Sequence, residues 1–235
     1  MIVANEIPLS DFTQATTIRL ISTAYIDESA MLPLVDNNDD LAFLEEIEGM
    51  TSTRRGDIVP LPGGIHPDEL LTEVHGFGWA YVNAAFCYTR EGGNRFNGSE
   101  RGAWYAAWGD NAVTTAHADV SWHLTRELDA TGVYENTTAY RELLAGFTVR
   151  FHNVNGCDAG LVLDPDAETG YPAGQALALE LLNAGSHGLL YPSVRRADGQ
   201  CLVAFRPHVV QNIRQGNTWV LAWHGTREPE ITQKF

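Results

Sequence analysis

Residues 94–123 have the sequence NRFNGSERGAWYAAWGDNAVTTAHADVSWH, which combines an arginine, an aromatic pair, a carboxylate and a histidine. Arg95 and Phe96 follow a glycine-rich turn, and the apolar segment AWYA at residues 103–106 follows a second turn. Two short extended segments separated by turn residues predict a β-hairpin. From Asp110 onward the pattern becomes helical. The stretch therefore predicts a strand, a second strand and a helix, around which the rest of the chain is arranged.

One face of this predicted helix carries apolar and reactive side chains together. Residues spaced three and four apart lie on the same side of an α-helix. Six residues follow that spacing, namely Ala112, Ala116, Asp119, Val120, His123 and Leu124. The face therefore presents a carboxylate and an imidazole, whereas His117 lies on a different face from His123. A shared metal site is not predicted.

The order of residues in this stretch resembles the RES domain, a family named for an arginine, a glutamate and a serine. The matching blocks are Arg-Phe-Asn at residues 95–97, Trp-Tyr-Ala-Ala at residues 104–107, and Thr-Ala-x-Ala-Asp with a histidine four residues later. Ser193, in the segment YPSVR, matches the family's serine motif. The resemblance covers about residues 18–223, with one departure, since Asp119 stands where the family has glutamate.

The order of elements predicts an α+β fold, because there is no regular alternation of strand and helix. Besides the helix that follows Asp110, helices are predicted at 41–49, at 78–88, at 141–144 and from Tyr171-Pro172 to Gly185, and strands at 17–23, 146–154, 159–164, 188–194, 201–205 and 218–223. The resemblance implies a single domain over residues 1–235. It also implies mixed or antiparallel sheets around an NAD cleft, as in the ADP-ribosyltransferase toxins.

The resemblance assigns a site with Asp119, Arg95 and Tyr105 as catalytic residues and with NAD contacts from Arg19, Arg54, Arg95, Tyr105 and Ser193. Arginines bind pyrophosphate through paired hydrogen bonds, an aromatic ring stacks on nicotinamide, and a carboxylate stabilises a developing sugar cation. Arg19 and Arg54 both remain candidates for the second ligand arginine.

Some of these residues also have ordinary structural interpretations. Tyr105 could equally be a core aromatic residue, and Ser193 could equally be a turn residue after Pro192. Arg195, two residues beyond Ser193, would share its strand face, which predicts a salt bridge.

RES toxins of toxin–antitoxin pairs cleave the nicotinamide–ribose bond of NAD, so the resemblance implies an NAD glycohydrolase or phosphorylase. NAD would be the substrate, and no prosthetic group or metal is implied. A cognate Xre-type antitoxin is the implied partner, and a toxin homodimer within that complex is compatible with the resemblance. Two alternatives stay open: transfer of ADP-ribose to a protein, and a non-catalytic NAD-binding module that lost turnover through Asp119.

The composition of the chain argues against nucleic-acid-binding, membrane and secreted proteins. The 235 residues fit one domain, and a formal net charge of −15 argues against direct binding of nucleic acid. No apolar run approaches the roughly twenty residues of a membrane span, and the N-terminal sequence lacks a signal-peptide pattern. We therefore predict a cytoplasmic location and no membrane contact. Three widely spaced cysteines are predicted to be reduced and buried.

Overall fold

The computed structural model describes residues 2–23 and 61–234. Within these ranges the chain forms strands β1 Leu9–Ser22, β2 Trp104–Trp108, β3 Glu135–Asn153, β4 Gly188–Pro192, β5 Gln200–Ala204, β6 Gln211–His224 and β7 Glu230–Lys234. The same ranges contain helices α1 Trp79–Cys87, α2 Ala112–Asp129 and α3 Ala167–Asn183.

The strands form a mixed sheet in the order β1-β2-β5-β4-β3-β6-β7, and β1 also pairs with β3. Strands β3 and β4 run parallel, and the other pairs are antiparallel. Because β1 pairs with both β2 and β3, the pairings of the first five strands form a closed circuit. The prediction of a fold that combines helices with a mixed sheet is confirmed.

Strand β2 separates the main core from the site described below. Its residues alternate between faces, as the two-residue period of a strand requires. Trp104 is fully buried and, with Ala106, belongs to the core that contains Phe86 of α1. Ala107 instead packs with Ala112 and other residues of α2. Strand β2 therefore has α1 on one side and α2 on the other.

The predicted hairpin at residues 95–106 is wrong. Asn94 and Asn97 form an isolated bridge that closes a tight turn, while β2 pairs with β5 and, through Ala107, with β1. The glycine-rich turn is present as predicted, with positive φ at Gly92 and Gly93, but residues 94–97 close a second tight turn instead of extending into a strand. This second turn places Arg95 against α3.

Three other predicted elements need correction. Residues 141–144 belong to β3 and not to a helix, because their side chains alternate in register with β1 and β6. The predicted strand at 159–164 is a short 3₁₀ helix, Gly160–Leu163. Helix α3 begins at Ala167, where the Asp166 side chain accepts from the Glu168 amide, so Pro172 lies inside the helix rather than at its start.

Helices α1 and α2 and strands β4 and β5 occur where the sequence predicts them. Strands β1 and β6 begin seven or eight residues earlier than predicted, and β7 was not predicted. The helix predicted at 41–49 lies outside the described residues. No helix in the described ranges is long and apolar enough to cross a membrane.

Candidate functional site

A cavity of about 280 Å³ opens beside α2. Its described walls come from β1, the segment between α1 and β2, strands β2 to β5, helices α2 and α3, and the turn that follows β4. They include Arg19, Arg90, Arg95, Tyr105, Asp119, His123, Glu127, Tyr171, Ser193 and Arg195. The structure thus brings Arg19, Arg95, Tyr105, Asp119 and Ser193 to one place. Arg54 lies outside the described residues.

Arg95 is an almost fully buried cation in the cavity wall, with 7% of its surface exposed. Its Nη1 donates to the carbonyl oxygens of Val162 at 2.9 Å and Asp164 at 2.8 Å. The guanidinium carbon lies 5.4 Å from the centroid of the Tyr171 ring. No described carboxylate forms an ion pair with Arg95, and a guanidinium group without such a partner can bind an anion in the cavity.

Two glycines of α3 make room for Arg95. A Cβ atom at Gly170 would clash with Arg95 Nη1, and a Cβ atom at Gly174 would clash with the Arg95 carbonyl oxygen. Glycine inside a helix costs about 1 kcal/mol relative to alanine. The close approach of Arg95 to the helix explains why larger residues do not fit at these positions.

The ring of Tyr105 forms part of the cavity wall, and its hydroxyl makes hydrogen bonds to the turn at residues 94–97. The hydroxyl accepts from the Phe96 amide at 2.9 Å and donates to Asn97 Oδ1 at 2.8 Å. Burial raises the pKa of the Tyr105 phenol, so the group stays neutral. The hydroxyl therefore fixes the turn that carries Arg95, and only the ring remains for contact with a ligand.

Arg19 supplies a second cation from β1. Its guanidinium carbon lies 5.1 Å from the centroid of the Trp104 ring, and its Nη1 donates to the Tyr105 carbonyl oxygen at 3.3 Å. Burial lowers the pKa of Arg19 to about 10, while Tyr105 and Asp119 oppose that shift. Arg19 is therefore still protonated at neutral pH.

Asp119 and His123 lie one turn apart on α2, with Asp119 Oδ2 4.0 Å from His123 Nε2. The Asp119 side chain is 55% exposed, and that of His123 is 25% exposed. Burial lowers the pKa of His123, Asp119 opposes the shift, and Arg90, Arg195 and Arg126 add to it. A neutral His123 cannot form an ion pair with Asp119, so this contact leaves the carboxylate oxygens open to another partner.

Ser193 follows the last residue of β4 and closes a turn. Its Oγ accepts from the amides of Arg195 at 3.2 Å and Arg196 at 3.1 Å, and its own amide donates to the Gly199 carbonyl oxygen at 2.9 Å. The turn interpretation of Ser193 is confirmed. Its hydroxyl proton remains to be donated, either to the neighbouring Cys201 sulfur or to a ligand.

The predicted salt bridge of Arg195 is wrong for the described part of the chain. Because β4 ends at Pro192, Arg195 lies in a turn and not on a strand face. Its guanidinium carbon lies 3.4 Å from the centroid of the Trp122 ring, and its Nη1 donates to the Pro165 carbonyl oxygen at 2.7 Å. The arginine contacts an aromatic face and a backbone oxygen instead of a carboxylate.

The sequence interpretation missed Tyr171, Arg90 and Arg195 as cavity residues. Tyr171 was assigned only as the start of a helix, yet it lies in α3 between the two glycines that contact Arg95. The two glycines, Gly170 and Gly174, lie on either side of Tyr171 in the sequence, and they were the feature that could have indicated a close contact at this tyrosine. Arg90 lies in an irregular segment, where no periodicity indicates which way a side chain points.

Metal-ligating groups do not cluster in the described ranges. No set of three or more histidine, cysteine, aspartate or glutamate side chains there is arranged to hold a metal ion. The cysteines Cys87, Cys157 and Cys201 are free thiols, but they are partly buried rather than buried as predicted. Burial raises the pKa of the Cys201 thiol to about 12, so this thiol is unreactive at neutral pH.

The buried His117 on helix α2 leads us to expect that the protein loses stability in acid. The side chain is buried beside Trp219, with ring centroids 4.5 Å apart, and its Nε2 has no hydrogen-bond partner in the described structure. Burial lowers its pKa from 6.5, against the opposing charge of Glu142. The folded state therefore favours the neutral ring, so the free energy of unfolding should fall as the pH drops below 6.5, through the lowered folded-state pKa.

Urea unfolding of wild type and of His117→Gln, measured between neutral and mildly acidic pH, tests this expectation. The variant should show a shallower pH dependence, because glutamine cannot be protonated. His224→Gln, which changes an exposed histidine, is the control and should match wild type. Equal pH dependence in all three proteins would contradict the role given to His117.

Arginines, an aspartate and a serine from distant segments meet at one cavity beside a mixed sheet, which is the RES combination with aspartate in place of glutamate. The chain belongs to the RES domain family, whose family model matches residues 70–224. The match includes Arg95, Tyr105, Asp119 and Ser193, and it begins after Arg19. The predicted family is confirmed.

Among solved structures, the chain is similar to a chain of the M. tuberculosis MbcT–MbcA toxin–antitoxin complex. The two are 11% identical, with a TM-score of 0.44, and the comparison covers 91% of this chain and 87% of the other. Comparison with curated proteins gave no significant match.

Proposed function

We propose that this chain is a toxin that consumes NAD by cleaving the bond between nicotinamide and ribose. The observation that carries the proposal is the meeting of Arg19, Arg95, Tyr105, Asp119 and Ser193 at one cavity in a member of the RES family. These five residues come from separate parts of the chain, and structural stability alone does not require them to surround a common space.

The charges around the cavity suit a dinucleotide. Arg19 and Arg95 line the cavity and supply positive charge, and neither is among the arginines that form ion pairs with described carboxylates. NAD carries a pyrophosphate, which guanidinium groups bind through charge-assisted hydrogen bonds. The Tyr105 ring provides a surface for the nicotinamide ring. The site would thus resemble the NAD clefts of ADP-ribosyltransferase toxins.

The chemistry requires a negative charge beside the sugar. When the bond from ribose C1′ to the nicotinamide nitrogen breaks, its electron pair leaves with nicotinamide, and the sugar becomes an oxocarbenium-like cation. Asp119 would stabilise that cation or orient the acceptor, as carboxylates do in glycoside hydrolysis. The acceptor oxygen then bonds to C1′ and loses its proton, which the neutral His123 beside Asp119 is able to take.

The toxin would be held by an antitoxin protein and would act in the cytoplasm, without touching DNA itself. Membership of the RES domain family is the basis for proposing an antitoxin partner. A formal net charge of −15 supports the assignment of DNA contact to the partner, since a negatively charged surface repels the phosphate backbone. A toxin homodimer inside the complex belongs to the same proposal.

Incubating the purified chain with NAD and measuring released nicotinamide tests the proposal directly. We expect release by wild type at a rate well above that of the Asp119→Asn variant. Reactions with and without phosphate separate hydrolysis from phosphorolysis, and added cell lysate with labelled NAD detects transfer to a protein. If NAD binds but no nicotinamide is released under any of these conditions, the chain is a non-catalytic binding module.

A further inference from the structure

Arg95 and Arg195 reach the same cavity from different segments. Both line it together with Tyr171, and the guanidinium carbon of Arg95 lies 5.4 Å from the centroid of the Tyr171 ring. Arg95 precedes β2, whereas Arg195 lies in the turn after β4. The cavity wall therefore carries two cationic groups from distant parts of the chain.

Neither of these two arginines forms an ion pair within the described ranges. Among the other described arginines, Arg101, Arg196, Arg206 and Arg227 lie within ion-pair distance of a described carboxylate, whereas Arg19 and Arg90, which also line the cavity, do not. The chain has 30 acidic residues and 15 basic ones, so unpaired arginines are not explained by a shortage of carboxylates. Burial lowers the pKa of Arg195, and Arg95 lowers it further. Two like charges in one wall repel each other, and a bound anion would remove that repulsion.

Arg195 is also held in place before any ligand arrives. Its guanidinium stacks on Trp122, and its Nη1 donates to the Pro165 carbonyl oxygen. A planar guanidinium fixed in this way loses little conformational entropy when an anion binds. Arg126 lies over the same indole, with its guanidinium carbon 5.6 Å from the ring centroid, and adds positive charge nearby.

We propose that Arg95 and Arg195 form a clamp for one phosphate group and that Arg195 determines the preference for phosphate-bearing ligands. The inference rests on the proposed function, because NAD is the dinucleotide whose pyrophosphate would occupy the clamp. A free phosphate ion has the same chemistry and is the second source of such a group. The guanidinium fork matches phosphate oxygens, so two such groups in one cavity can bind one phosphate group together.

The test measures binding by calorimetry in wild type, Arg195→Ala, Arg195→Lys and Arg196→Ala. Arg196 is the matched control, because it is the next residue in the same turn but pairs with Asp198 and does not line the cavity. Titration with inorganic pyrophosphate and with ADP-ribose should show a dissociation constant at least about tenfold higher for Arg195→Ala, as expected for loss of a charge-assisted contact. Arg195→Lys should be intermediate, and Arg196→Ala should match wild type.

Nicotinamide riboside, which has no phosphate, separates a phosphate contact from a general structural effect. Its affinity should be the same in wild type and Arg195→Ala. If Arg195→Ala weakens the phosphate-free and phosphate-bearing ligands equally, or binds pyrophosphate as tightly as wild type, the clamp is overturned. Failure of wild type to bind either pyrophosphate or ADP-ribose would overturn it as well.

Orthophosphate titrated into the protein saturated with ADP-ribose distinguishes the two sources of phosphate. If orthophosphate binds and Arg195→Ala abolishes that binding, the clamp holds the free ion. If orthophosphate does not bind but Arg195→Ala lowers the affinity for ADP-ribose, the clamp holds a phosphate of the dinucleotide. These measurements need no turnover, so they also separate the clamp from the proposed function. Arg195-dependent anion binding without nicotinamide release would support the clamp and contradict the proposed enzymatic activity. Nicotinamide release together with unchanged pyrophosphate binding in Arg195→Ala would support the activity and contradict the clamp.

Discussion

Replacing Asp119 with asparagine is expected to slow nicotinamide release by about a hundredfold, the size of effect seen when one electrostatic contact to a transition state is removed. Asparagine has almost the same shape as aspartate but carries no charge to stabilise the developing sugar cation. The side chain is 55% exposed, so the substitution should leave the melting temperature unchanged. The rate constant at saturating NAD is the quantity to compare, because ligand affinity depends mainly on the arginines.

Glu127→Gln is the matched control for Asp119→Asn. Glu127 lines the same cavity, lies on the same helix and loses the same charge, but it is about 12 Å further along the helix axis. We expect Glu127→Gln to retain nearly the full rate. If Glu127→Gln is slow and Asp119→Asn is not, the carboxylate that acts on the sugar is Glu127.

Asp119→Glu tests the one departure from the family pattern. Aspartate is one methylene shorter than glutamate, and a displacement near 1 Å can cost on the order of a hundredfold in rate. Because Asp119 is half exposed at an open cavity, the structure has room for the longer side chain. We expect Asp119→Glu to equal or exceed wild type. A much slower glutamate variant would indicate that α2 lies close to the sugar, at the distance that suits aspartate, so that the longer glutamate side chain places its carboxylate wrongly.

The helices of this fold were predictable because their patterns are local. The face of α2 that carries Asp119 and His123 follows from spacings of three and four, and the structure places both residues at the cavity. Strands β4 and β5 are short apolar runs bounded by turns, and they also appear where predicted. The long strand β3 was divided in error, because residues 141–144 contain helix-forming side chains that pairing with β1 overrides.

The cavity was predictable only in part, because contacts between distant segments leave little trace in a sequence. The family motif led to Arg95, Asp119 and Ser193, yet it gave no sign that Ser193 caps a turn with its hydroxyl. Arg195 was placed on a strand face by a two-residue period, and that period ends when β4 ends at Pro192. Strand boundaries decide where such a residue points, and they are the least certain feature of a sequence-based assignment.

Replacing Arg95 with alanine should have the second large effect, because this residue combines binding and structure. Loss of a charge-assisted contact to the pyrophosphate costs roughly 1.5–3 kcal/mol, which lowers kcat/KM at least about tenfold. The carbonyl oxygens of Val162 and Asp164 also lose their donor, so the free energy of unfolding should fall as well. Arg95→Lys should recover part of both, since an ammonium keeps the charge but not the two-pronged geometry.

Arg101→Ala separates these two effects. Arg101 is also largely buried and also donates to backbone carbonyl oxygens, those of Gly64 and Phe205, but it does not line the cavity. Its removal should lower the free energy of unfolding while the folded fraction keeps the wild-type kcat/KM. If Arg95→Ala behaves in the same way when assayed below its unfolding temperature, then Arg95 is a structural residue. In that case the positive charge that holds NAD must come from Arg19 and the other arginines of the cavity.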